Sequence, residues 1–379
     1  MQNKIHFEGL NGLRAMAVLA VVISHITIHL DFFGLDNGIF GYNKNGTPMG
    51  WLAGAYGVTI FFTLSGFLIT YLLLREQQIQ PVNIRNFYMR RVLRIFPLYF
   101  LFLILTLFTY LLFNIKFELK ALLQCMFFAG NVPADIGRKL PLLGHYWSLG
   151  VEEQFYLFLP FFLIYSRNKL LRNTICLAVL LFGIRVICWI IYKNKGDFSL
   201  NFIMGTSRYH LLVFGSIVAI LYFQKNEKFI NLVTKKSIQI LSWAIFLLFC
   251  YNKVIFPLSH ELVAVATGCI IIAQIIGKNK LINLETKVLD FIGRISFGIY
   301  ITHNLIIFYC GKLIGKFVLP NIFIYIFVYF FVITIVIFLS DLSYNYFEKK
   351  FLRMKLQYTI FTNESKETKN NDKTITTIY

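Results

Sequence analysis

Residues 10–30 read LNGLRAMAVLAVVISHITIHL. Wound as a helix at about 1.5 Å per residue, this run extends about 30 Å, the thickness of a bilayer's hydrocarbon core, so it reads as a membrane span. Yet it holds Arg14 and His25. A charge at mid-bilayer costs about 2.5–3.5 kcal/mol on insertion scales, which makes an ionisable residue there a functional candidate by default. The two are separated by three helical turns plus about 20°, so they share one helix face, about 16 Å apart along the axis. The plainer account is a snorkelling arginine and a histidine in a helix contact. A metal site on His25 and His29 has no acidic partner nearby in sequence, and no metal is expected.

The rest of the chain agrees with a lipid solvent. Hydrophobic residues make up 57% of 379 and charged residues 15%, too few charges to cover a soluble domain of this length. Ten apolar segments recur at about 10–30, 51–74, 92–113, 147–165, 174–192, 206–223, 237–252, 260–277, 291–311 and 322–345. The expected fold is all-α, a polytopic transmembrane bundle of about ten helices. The apolar stretch 117–130 is short for a crossing and is expected as a re-entrant or interfacial helix. Residues 1–348 form the expected membrane domain, and 349–379 a polar, disordered cytoplasmic tail.

The net charge of +19 could signal nucleic acid, but the basic residues lie between apolar runs rather than on one soluble face. Segments assigned to the cytoplasm carry 25 Lys and Arg, and those on the opposite side carry 10. That bias places both termini in the cytoplasm. Residues 10–30 read as a retained span, because no small-residue cleavage pattern precedes Asp31. The six cysteines are scattered through apolar stretches without a CxxC pair, as helix-packing residues are. No internal repeat is visible, which counts against many secondary transporters.

Three further clusters stand out. In Phe87 to Pro97, Arg91 and Arg94 stand at i, i+3 on one face, and guanidinium forks suit phosphate. In Gly144 to Tyr156, Glu152 and Glu153 open a span from its outer end, where they complement the helix dipole or balance a buried His or Arg. In Gly293 to His303, residues Ser296, Tyr300 and His303 line one helix face, either as glue between helices or as part of a site.

These segments, in this order, resemble the membrane-bound acyltransferase-3 family, which includes bacterial polysaccharide O-acetyltransferases of O-antigen and peptidoglycan. The pieces are Gly12-Leu13-Arg14 with His25, then Gly57 to Phe67, Phe87 to Pro97, Trp147 to Tyr156, and Ile295 to His303, across residues 6–345. The resemblance implies a bacterial inner-membrane enzyme that moves an acetyl group from cytoplasmic acetyl-CoA, its co-substrate, to a hydroxyl of a cell-surface or exported glycan, free or lipid-linked. It implies His25 as catalytic histidine with Arg14 its partner, and Glu153, ahead of Glu152, as an essential carboxylate. Arg91 and Arg94, with Arg14, then hold CoA, and Trp147, Ser148, Tyr300 and His303 are substrate-binding candidates. Asn11 and Thr59 stand where the family often has Asp. Some members carry an extracytoplasmic hydrolase-like domain after the last helix; this sequence shows none, which implies another route of acceptor delivery. The rival readings are a flippase or transporter of lipid-linked glycan, and the same enzyme class with a succinyl donor or a small-molecule acceptor.

Overall fold

The computed structural model describes residues 3–4, 7–42, 46, 48–132, 136–195, 207–251, 258–277, 280–315, 321–359 and 361–362. Inside a bilayer each backbone polar group must be satisfied within its own segment, and the chain answers with helices. They are α1 (Leu10–Ile28), α2 (Leu52–Ile79), α3 (Ile84–Leu112), α4 (Leu119–Met126), α5 (Ile136–Lys139), α6 (Tyr146–Tyr165), α7 (Leu170–Lys195) and α8 (Tyr209–Phe223). After these come α9 (Glu227–Val233), α10 (Lys236–Tyr251), α11 (Ser259–Ile276), α12 (Lys287–Arg294), α13 (Ser296–Ile314), α14 (Ile322–Ser343) and α15 (Lys349–Lys355). Two-residue strands, β1 (Asn3–Lys4) and β2 (Phe361–Thr362), pair in parallel.

The expected all-α, multi-pass bundle is what the chain forms. Among the described residues, seven helices are long and apolar enough to cross a membrane. An eighth follows if α9 and α10, bent by 60° at their junction, count as one span. The remaining expected segments are helical too: α6 carries Glu152 and Glu153, and α8 is a 15-residue apolar helix. The expected short helix near 117–130 is α4, whose Ala121, Leu122 and Cys125 are buried while Leu119 and Leu123 are exposed. The span expected at 291–311 begins instead at Ser296, because the chain turns at Ile295 and the preceding residues form α12. Thr286 caps α12 by accepting from the Leu289 amide at 3.3 Å, and Asn321 caps α14 by accepting from Ile324 N at 3.0 Å, as N-cap side chains do.

Beyond α14 the helical path does not stop at 348. Tyr344–Glu348 form a π-helical turn, and α15 continues it with Leu352 and Lys355 buried. Residues 363–379 of the expected tail lie outside the described residues.

The chain divides into two compact units. The first comprises Met1–Ile60, Asn86–Phe102 and Thr234–Tyr379. Here α1 is central, packed on α12, α13, α14 and α11. Its approach to α12 and to the residues just before it is backbone on backbone: a Cβ at Gly12 would overlap the Leu284 carbonyl, and one at Gly293 would overlap the Asn11 carbonyl. Only glycine permits that separation. The second unit comprises Phe61–Arg85 and Leu103–Val233, in which α8 packs on α7 and α6, and α6 on α4.

Candidate active site

Within the first unit, α1 and α13 bring His25 and His303 together. The Nδ1 atom of His25 lies 2.6 Å from Nε2 of His303, and Nδ1 of His303 lies 3.1 Å from the Ile299 carbonyl oxygen. A carbonyl only accepts, so in the neutral pair His303 carries its proton on Nδ1 and presents a lone pair on Nε2. His25 then donates from Nδ1, and its own lone pair is left on Nε2. A lone pair on a ring nitrogen is what a general base requires. Asn304, next to His303 in sequence, is buried on the same helix. The expected polar face of α13 is buried throughout, with Ser296, Tyr300 and His303 all inside. The Tyr300 and His303 ring centroids are 5.8 Å apart.

Three turns toward the other end of α1, Arg14 is buried and donates from Nη1 to Asn11 Oδ1 at 2.6 Å. Asn11 Nδ2 donates to Asp290 Oδ1 at 2.7 Å, and Asp290 Oδ2 pairs with Arg294 Nε at 3.2 Å. The orientation of the Asn11 amide is unambiguous, because a guanidinium only donates and a carboxylate only accepts. Asn11, which stands where the family often has an acid, therefore relays an acid from α12.

Arg91 and Arg94 on α3 are buried in the same unit, as is Arg90. The Arg94 guanidinium lies over the Phe297 ring at 5.6 Å, and Arg91 over Phe87 at 5.9 Å, contacts that hold a desolvated cation. Glu348, buried at the end of the π-helical turn, interacts electrostatically with Arg94. A Cβ on Gly298 would stand 3.0 Å from Glu348 Oε1, so glycine there leaves room for the carboxylate. Arg14, Arg90, Arg91 and Arg94 all interact with the charge of Lys355, which gathers the three expected donor-binding arginines into one basic group.

Glu153, Trp147 and Ser148 belong to the second unit, on α6. Trp147 packs edge-on against Phe62, with centroids 5.9 Å apart, and Arg208 lies over it at 5.5 Å. Ser148 Oγ donates to the His145 carbonyl at 3.2 Å. Glu152 Oε1 accepts from Ser65 Oγ at 3.0 Å, and its other oxygen from Tyr156 at 3.4 Å. Glu153 is half-buried. Thr59, the second departure from the family pattern, lies in the first unit 2.8 Å from His260 Nδ1.

Sequence reasoning did not find Asp290, Asn304, Glu348, Arg90 or Lys355. Asn304 adjoins a flagged histidine. Glu348, Leu352 and Lys355 stand at i, i+4 and i+7, the signature of one buried helix face, which a polar-tail reading of this stretch concealed. Among the described residues no group of three His, Cys, Asp or Glu side chains is placed to hold a metal ion.

Helices of this length, with imidazole and guanidinium groups built into their buried faces, define a multi-pass membrane protein. Residues 7–341 match the family model described as an acyltransferase domain, and the chain belongs to the acyltransferase-3 family. A provisionally named O-acetyltransferase of Staphylococcus aureus strain COL is 28% identical over 91% of this chain and 57% of its own length. YrhL of Bacillus subtilis strain 168, provisionally named a peptidoglycan O-acetyltransferase, is 27% identical over 92% of the chain and 55% of its own. The O-acetyltransferase OatA of Staphylococcus aureus strain NCTC 8325 is 25% identical, over 92% and 57%. The chain thus spans a little over half the length of these relatives. No solved structure matches it.

Proposed function

We propose that the protein is an integral-membrane O-acetyltransferase that moves an acetyl group from cytoplasmic acetyl-CoA to a hydroxyl of a cell-surface or exported glycan. It works in the bacterial cytoplasmic membrane with both termini inside. The observation that carries this reading is the His25–His303 pair, which leaves the His25 lone pair on Nε2 on the helix that also carries the buried Arg14.

The donor's phosphates bind at the basic group of Arg14, Arg91 and Arg94, where forked guanidinium donors match phosphate oxygens. The pantetheine arm extends along α1 toward His25. There His25 Nε2 removes the proton of the acceptor hydroxyl as its oxygen forms a bond to the thioester carbonyl carbon. The carbon–sulfur bond breaks, the CoA sulfur leaves with the electron pair, and His25 returns the proton to it. An acetyl ester and free CoA result, and the histidine is restored. Direct transfer needs only this one base.

The test uses the purified chain in lipid nanodiscs with labelled acetyl-CoA and soluble peptidoglycan fragments or lipid-linked glycan as acceptors. Wild-type protein is expected to yield a product heavier by one acetyl group, and His25→Ala none at equal expression. Retained transfer in His25→Ala overturns the assignment of the base. Glycan translocation without any acyl-donor dependence overturns the enzyme reading.

A further inference from the structure

Lysine is among the residues least often buried, and Lys355 is 3% exposed. Its surroundings are cationic. The charge of Lys355 interacts with those of Arg91, Arg94, Arg90 and Arg14, and all four arginines are themselves buried. Glu348, seven residues back on the same helical face, brings one carboxylate to this group beside Arg94. Five buried basic side chains set together repel one another in a low-dielectric interior. They make a good receptor for a ligand carrying several negative charges.

The lysine is also held in place by the helical extension beyond α14. The π-helical turn Tyr344–Glu348 lets the last helix run on into α15, and such turns are frequent at functional sites. Past α15, Arg90 Nη1 donates to the Tyr358 carbonyl at 2.8 Å, tying the end of the extension to the arginine run of α3. The pairing of Asn3 with Phe361 and Lys4 with Thr362 joins the two ends of the chain just beyond.

We propose that Lys355 is a further cation of the acyl-donor site, placed there by the helical extension beyond α14 to bind a phosphate of the donor's nucleotide end. This rests on the reading of Arg14, Arg91 and Arg94 as the donor site. The ammonium adds a compact point charge to forks that already supply directed hydrogen bonds. The segment after α14 is then part of the binding machinery rather than a tail.

Binding of CoA, of dephospho-CoA (which lacks the 3′-phosphate) and of pantetheine (which lacks every phosphate) tests this with the full chain in nanodiscs. Lys355→Gln and Lys355→Met are each expected to weaken CoA at least about tenfold and to leave pantetheine unchanged. Lys355→Arg is expected to restore CoA binding to within about threefold. If dephospho-CoA binds both neutral variants and the wild type alike, the contact is to the 3′-phosphate; if it weakens as CoA does, the contact is to the diphosphate. CoA binding that is unaffected in the neutral variants, or CoA and pantetheine weakened equally, overturns the proposal. Should both neutral variants unfold, a photoreactive CoA analogue on wild-type protein decides. Labelling within residues 349–359 supports the contact, and labelling confined to other segments overturns it. Wild-type protein that binds no CoA at all refutes instead the donor-site reading beneath it.

Discussion

His303 meets His25 at 2.6 Å, Nε2 of the one to Nδ1 of the other, with the two rings stacked at 4.8 Å, and lies 3.1 Å from the carbonyl of Ile299 one turn back on α13. A helix carbonyl cannot change its hydrogen-bonding role, so the proton on His303 Nδ1 is fixed and the sense of the whole chain follows. His303 thereby acts on the reaction through the tautomer of His25.

This makes a kinetic prediction for His303. Removing it in His303→Ala frees His25 to carry its proton on either nitrogen and to rotate. The rate constant kcat is expected to fall about 10²-fold, toward the full contribution of a general base, while KM for acetyl-CoA stays within about twofold. Steady-state transfer assays in nanodiscs check this. A variant with wild-type kcat shows that the pair only packs two helices together.

The Asn11 relay predicts a different pattern. Arg14 takes its 2.6 Å partner from Asn11, and Asn11 takes its orientation from Asp290 at 2.7 Å. Asn11→Leu removes both part-buried bonds, a net loss of about 0.5–1.5 kcal/mol each. It is expected to raise KM for acetyl-CoA about tenfold and to lower the melting temperature. Asp290→Asn keeps an acceptor for the Asn11 amide and is expected to shift KM less than Asp290→Ala does. Asn11→Asp sets two carboxylates side by side between Arg14 and Arg294 with no amide donor between them and is expected to destabilise the protein. Kinetics together with thermal melting of the detergent-purified variants separate these outcomes.

The backbone contact of α1 with α12 gives a prediction about stability alone. A methyl at Gly12 or Gly293 meets a carbonyl of the other segment, where no flexible side chain can give way. Gly12→Ala and Gly293→Ala are each expected to cost about 1–3 kcal/mol, the usual penalty of overpacking. Fluorescence-detected gel filtration across a temperature series measures it, and Gly183→Ala, whose added Cβ would meet open space, is the control.

How much of this was legible beforehand varies with the kind of signal. Hydropathy locates spans because bilayer thickness fixes their length, and helices stand at the expected segments. Charge within an apolar run and its spacing on one helix are equally legible, so Arg14, His25, Arg91 and Arg94 stand out as candidates, while their roles come from the family resemblance. What hydropathy hides is a polar residue acting inside a helix that has already left the apolar register. Lys355 lies in such a stretch, between Lys349 and Tyr358, where composition reads as tail while the i, i+4, i+7 face of Glu348, Leu352 and Lys355 is buried. Contacts between distant segments are hidden too. Asn11 read as the loss of an acid, and only the packing of α12 on α1 supplies Asp290 behind it.

Glu152 and Glu153 form the last test, since adjacent carboxylates on one helix point in different directions and cannot share one role. Glu152 accepts from Ser65 at 3.0 Å and from Tyr156 at 3.4 Å, a structural link between α2 and α6 inside the second unit. Glu152→Gln retains an oxygen for the Ser65 hydroxyl, and its amide can donate to the Tyr156 oxygen. It is expected to keep most of the activity, whereas Glu152→Ala loses stability by about 1–3 kcal/mol. Glu153 is the expected essential carboxylate, so Glu153→Gln should keep the wild-type melting temperature and lose transfer by more than about 10²-fold. Melting curves and acetyl-transfer rates of the three variants check the division. Activity lost in Glu152→Gln and kept in Glu153→Gln reverses the two roles.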